Sequence, residues 1–127
     1  QFESLIYHCI SQLGQGQDQG ARLWVLRWGV VLLNCSHIVW QLRQWRGREP
    51  ALYLVRDACV RCLEGILTEQ GVQHGSLHQT LAELDRISLG LADHPEPSAR
   101  ELAGLVWRLH CSLSPLLLAP PSALAPA

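Results

Sequence analysis

From Ala21 to Trp45 the chain reads ARLWVLRWGVVLLNCSHIVWQLRQW, a stretch that holds four of its five tryptophans. As a helix it extends about 37 Å at about 1.5 Å per residue. Its apolar positions are Leu23, Trp24, Leu26, Val30, Val31, Leu33, Ile38, Val39 and Leu42, and they spread over more than one stripe. A single partner surface does not cover such a distribution, so the stretch is expected to be a central helix enclosed by neighbours. Gly29 inside it gives up as much as about 1 kcal/mol of helix propensity relative to alanine. A glycine kept at that cost predicts close approach of another helix.

A bilayer span is the competing assignment, because Leu23 to Leu42 covers the roughly 20 residues that a membrane-crossing helix needs. Arg27, Asn34, His37 and Gln41 stand against it. A mid-segment arginine alone costs about 2.5 to 3.5 kcal/mol on insertion scales. The stretch is therefore expected to be a buried helix of a soluble domain, and no membrane span is expected. Glu3 and His8 interrupt any apolar run at the N-terminus, which speaks against a signal peptide.

Working outward, residues Gln1 to Leu13 place Phe2, Leu5, Ile6, Cys9, Ile10 and Leu13 at steps of three and four, one face of a first helix. Gly14 to Gly20 contains no apolar residue and is expected to be a flexible connector. After the central stretch, Arg46, Gly47 and Arg48 supply a glycine for a left-handed cap and cations for the negative end of the helix dipole. Pro50 then opens a third helix, in the first turn where its missing N–H does no harm. From Ala51 to about Gln70, Leu52, Val55, Cys59, Cys62, Leu63, Ile66 and Leu67 follow the helical period, while Arg56, Asp57, Arg61, Glu64 and Glu69 are expected to turn mostly outward.

Ser76 with Gln79, and Ser98 with Glu101, match the capping-box pattern and predict the starts of a fourth and a fifth helix. Leu77, Leu81, Leu84, Ile87 or Ser88, and Leu91 form the stripe of the fourth, which Pro95 ends by restricting the residue before it. Leu102, Leu105, Val106, Leu109 and Leu113 form the stripe of the fifth, and Pro115 is expected to stop it. Residues 1–114 thus make a single helical domain, and residues 115–127 a Pro, Ala and Leu-rich tail expected to be poorly ordered. The fold class is all-α: a five-helix antiparallel bundle or a short HEAT or armadillo-like stack.

With 127 residues, 48% hydrophobic and 17% charged, the chain buries a core without staples, and a net charge of -1 argues against a nucleic-acid footprint. All ten basic side chains are arginine. The chain contains no methionine, which suggests a segment excised from something longer or a processed product. Five cysteines are too few and too odd in number for a disulfide framework. They favour a reducing, intracellular location, cytoplasmic or nuclear.

Cys59 and Cys62 form a C-x-x-C, the spacing of zinc knuckles and of redox pairs. Here the pair falls in mid-helix on the apolar face. The loose candidates for further ligands are His8 with Cys9, Cys35 with His37, and His110 with Cys111, and none stands at finger-like spacing. The expected role is that of small buried hydrophobes, with no metal, cofactor or catalytic residue. A zinc- or thiol-dependent site at Cys59 and Cys62 is the second alternative. Asn34 begins an Asn-Cys-Ser glycosylation pattern, but its place in the most apolar helix predicts a polar core group bonded to a neighbour instead.

Trp24, Trp28, Trp40 and Trp45 interleave with Arg27, Arg43 and Arg46, the composition of binding hot spots. Four tryptophans do not all fit inside so small a bundle, so the surface of Arg43, Trp45 and Arg46 is the candidate partner site, for another protein or a second copy of the chain. The leading functional expectation is a non-enzymatic protein-interaction domain from a larger intracellular scaffold. A secreted helical-bundle ligand of the cytokine type is the alternative.

Overall fold

Apolar residues recurring at three and four build α1 (Phe2–Gly14), α2 (Gln19–Gln44), α3 (Pro50–Leu67), α4 (Gly75–Ala92) and α5 (Pro97–Leu118). The structure is a computed structural model that describes residues 2–14, 19–44, 50–67 and 75–118, and no strand occurs among the described residues.

Side-chain bonds give the direction of each pair. Asn34 Nδ2 donates to the Arg108 carbonyl at 3.4 Å and Gln41 Nε2 to Glu101 Oε2 at 3.3 Å, so α2 and α5 run antiparallel. Trp28 lies against Gly65 while Cys35 meets Cys59 and Cys62, which sets α2 against α3 in the same sense. Arg61 bonds Thr80 and Gly65 touches Leu77, so α3 and α4 are antiparallel too. Helices α4 and α5 pack along their length after a short turn. The contacts α2–α3, α3–α4, α4–α5 and α5–α2 close a ring, and α1 lies against α2 and α3. Of the two arrangements open to the sequence, the bundle forms, since α5 returns to pack on α2, which a stack of successive helix pairs would leave apart.

One core runs through all five helices, with Cys9, Trp28, Val31, Ile38, Val55, Leu63, Leu84, Leu102, Val106 and Leu109 fully buried. Of Gly29, Gly65, Gly90 and Gly104, Gly65 is the one packed closely, for an added Cβ would stand 3.1 Å from Leu77 Cδ1 and 3.8 Å from a ring carbon of Trp28. The close approach expected at Gly29 is absent, for nothing lies within 4 Å of the corresponding Cβ position. The reason is that α2 is not enclosed. Trp28, Val31, Leu32, Cys35, Ile38 and Val39 are buried, while Leu26, Val30, Leu33 and Trp40 are 67%, 49%, 55% and 62% exposed. Its three neighbours, α1, α3 and α5, share one side, and the second apolar stripe faces away from all of them.

Several helix ends differ from expectation, α4 among them, which begins at Gly75 and so takes in Ser76, the residue expected to cap it. Helix α5 begins at Pro97, so Ser98 lies inside the first turn and is not the cap; the Glu96 carbonyl accepts from the N–H groups of Ala99 and Arg100 at 3.1 and 3.3 Å. The turn before it is held by the Glu96 N–H donating to His94 Nδ1, and by Arg100 Nη1 donating to the carbonyls of His94 and Pro95, each at 3.1 Å. Helix α5 also continues through Pro115 to Leu118. An interior proline costs about 3 kcal/mol, but Leu113, Leu116 and Leu117 are buried. Burial of each leucine is favourable by about 1.5 to 3 kcal/mol, enough to hold the last turn. The tail assignment therefore fails for 115–118, and 119–127 lie outside the described residues. Gly14 belongs to α1, and Gln19 and Gly20 to α2, so the first connector is shorter than expected, and its residues 15–18 are not described.

Candidate functional site

The C-x-x-C spacing puts Cys59 and Cys62 on one face of α3, because residues three apart on a helix are neighbours. Cys35 of α2 meets both, and all three are fully buried. Hydrogen bonds to the thiols of Cys59 and Cys62, then burial, hold the Cys35 thiol well above its ordinary pKa of 9.0. From α1, the Cys9 thiol donates to the Leu63 carbonyl at 3.3 Å, and burial pushes its pKa up to about 11. Four thiols thus sit at the junction of α1, α2 and α3, and the raised values of Cys9 and Cys35 keep those two protonated. A protonated thiol is a poor nucleophile and a poor metal ligand. Among the described residues no group of three or more His, Cys, Asp or Glu side chains is arranged to hold a metal ion. His37, the imidazole nearest Cys35 in sequence, is exposed, as are His8 and Cys111.

The meeting of Cys35 with the C-x-x-C was missed in the sequence because the residues are 24 and 27 positions apart. A signal existed: Cys35 follows Trp28 and Val31 at helical steps on the inward face.

A second polar feature joins α3 to α4. Arg61, expected to turn outward, donates from Nε to the buried Thr80 Oγ1 at 2.8 Å and pairs through Nη2 with the Glu83 carboxylate. Beside Glu83 lies an open groove of about 560 Å³, floored by Leu54, Ile87 and Leu91 and rimmed by Arg86 and His94. On α5, Trp107 stacks on His110 with ring centroids 4.7 Å apart.

Of the candidate partner surface, Arg43 is exposed in the last turn of α2, where a cation suits the helix dipole. Trp45 and Arg46 lie outside the described residues. The surplus aromatic surface inferred from tryptophan count is present at Trp40, and Asn34 bonds a neighbouring backbone as expected, although it is half-buried.

A helical bundle with protonated core thiols and one bare apolar helix face is compatible with many proteins, so comparison carries the classification. The chain belongs to the fusaric acid resistance protein family, whose profile matches residues 1–116. It is 60% identical over 121 residues to a protein of Escherichia coli (strain K12) named uncharacterized transporter YdhK, covering 95% of this chain and 18% of the relative. It is 58% identical over 120 residues to the protein of the same name in Salmonella typhimurium (strain LT2), covering 94% of this chain and 18% of that relative. The chain thus spans under a fifth of those relatives' length. No solved structure matches it.

These findings overturn the expectation of a scaffold or adaptor domain from an intracellular protein, and with it the cytokine-type alternative. The relatives are named as transporters, so the expected cytoplasmic or nuclear location and the expectation of no membrane span are corrected too. No helix among the described residues is long and apolar enough to cross a membrane. The mistake had a physical source: cysteine parity bears on redox setting, and it says nothing of what a helical surface is attached to.

Proposed function

We propose that this chain is the helical-bundle part of a membrane transporter of the fusaric acid resistance family, and that it serves export of small organic compounds without covalent chemistry of its own. The observation that carries the proposal is the 60% identity over 95% of the chain to a protein named as a transporter. The absence of covalent chemistry is supported by the buried Cys9 and Cys35, whose raised pKa values leave little thiolate at neutral pH.

The test is an exchange in the Escherichia coli relative. Three forms are produced: the intact relative, a hybrid with the matching segment replaced by this chain, and a form with that segment deleted. Cellular content of fusaric acid and the amount of protein in the membrane fraction are measured together. The expected result is that intact and hybrid forms lower the compound's accumulation and the deleted form, still in membranes, does not. A deletion that transports as well as the intact protein would defeat the proposal, as would an abundant, membrane-located hybrid with no activity.

A further inference from the structure

We infer that the outer face of α2 is a self-association surface, on which a second copy of this chain lays its own α2 antiparallel. The inference goes beyond the transporter proposal and stands on different observations. Leu26, Val30, Leu33, His37 and Trp40 are all exposed and follow one another at steps of four, three, four and three. That is the seam spacing by which one helix packs along another. It lies opposite the core-facing set of Trp28, Val31, Cys35 and Ile38, so no helix of the same bundle reaches it.

Area and shape point to a second copy. The exposed fractions of Leu26, Val30, Leu33 and Trp40 leave about 500 Å² of apolar side chain bare, near the upper limit for a monomer surface. Two such faces together bury about 1,000 Å², the threshold of a specific interface. The stripe is also self-complementary about a twofold axis beside Leu33. Leu33 then meets Leu33 of the second copy, the smaller Val30 meets His37, and the smaller Leu26 meets Trp40, so every member is covered. On one flank Gly29, with open space at its Cβ position, and Ser36, whose hydroxyl bonds back to the Leu32 carbonyl at 2.9 Å, let the backbones approach.

Closure about a twofold axis that crosses α2 at Leu33 sets the two helices antiparallel. A lipid surface fits less well: an interfacial helix needs a broad apolar face, and this stripe is narrow, bordered by Asn34, Ser36 and Gln41, and interrupted by His37.

The test uses the full chain with Cys111→Ser, which removes the exposed thiol. Sedimentation from micromolar to several hundred micromolar is expected to show a monomer–dimer equilibrium. Leu33→Asp, at a more than half-exposed position, is expected to raise the dimer Kd about a hundredfold with helical content unchanged. Leu33→Cys is expected to give a covalent dimer under mild oxidation by diamide, whereas Leu89→Cys, on the equally exposed surface of α4, is not. Three results would each overturn the inference: a monomer throughout the range, a dimer indifferent to Leu33→Asp, or Leu89→Cys cross-linking as fast as Leu33→Cys. A monomer that co-sediments with phosphatidylglycerol vesicles, and loses that binding with Leu33→Asp, would assign the face to lipid and overturn it as well.

Discussion

Arg61→Ala probes the strongest directional tie between α3 and α4. The guanidinium donates to Thr80 Oγ1 at 2.8 Å, and Thr80 is fully buried, while Arg61 and Glu83 are 36% and 35% exposed. A hydrogen bond from a charged donor contributes about 1.5 to 3 kcal/mol, and solvent access to Arg61 places this one at the lower end. The Glu83 pair, half in water, adds at most about 0.5 kcal/mol. Arg61→Ala should therefore cost about 2 kcal/mol. With an unfolding entropy of about 2.1 cal/mol/K per residue, that loss lowers Tm of the 127-residue chain by about 7 °C. Urea unfolding of Arg61→Ala, Thr80→Val and the double variant measures the coupling, expected to be at least about 1 kcal/mol because Arg61 and Thr80 are in direct contact. Coupling within about 0.3 kcal/mol of zero would refute the assignment. So would an Arg61→Ala loss that disappears in molar salt, since only the exposed Glu83 pair is open to screening.

Alkylation of the native chain with iodoacetamide should modify Cys111 rapidly and leave Cys9, Cys35, Cys59 and Cys62 intact until unfolding, as peptide mapping would report; fast native labelling of Cys35 would contradict the buried cluster. Stability should fall in alkali. The fold raises the Cys9 pKa from 9.0 to about 11, so it favours the protonated thiol, and the contribution is complete below pH 9 and lost as pH rises through 11. The loss amounts to about 3 kcal/mol, with Cys35 acting in the same sense; a flat stability profile across that window would disprove it. Gly104→Ala should stabilise by about 0.5 to 1 kcal/mol, because its Cβ meets nothing within 4 Å. Gly65→Val should destabilise by about 1 to 3 kcal/mol, since even a Cβ there stands 3.1 Å from Leu77, and equal effects at the two sites would contradict the packing.

Sequence periodicity settled the number and approximate bounds of the helices, because a 3.6-residue repeat is a local property that needs no knowledge of neighbours. The stripe from Leu77 to Leu91 and the burial of Cys59 and Cys62 were legible for that reason. Membership of the fusaric acid resistance protein family was not, for no residue here carries a motif with chemistry of its own, and family likeness resides in the whole pattern. Counting tryptophans pointed to an exposed one, and Trp40 is exposed, but which face of α2 stays bare depends on which side of the helix the bundle occupies.

What the residues decided alone is the all-helical class and the apolar character of both stripes of α2. Tertiary structure alone decided which stripe became core. Leu26, Val30, Leu33 and Trp40 are as hydrophobic as their buried counterparts, and no local rule separates them. Ring closure by α5 does: once α1, α3 and α5 pack on one side of α2, the circumference of a single helix has no further neighbour to give the other side. The same closure brings Cys35 to Cys59 and Cys62, and makes Gly65, rather than Gly29, the glycine that a neighbouring helix approaches. Burial is a property of the assembled neighbours, and sequence records only the capacity for it.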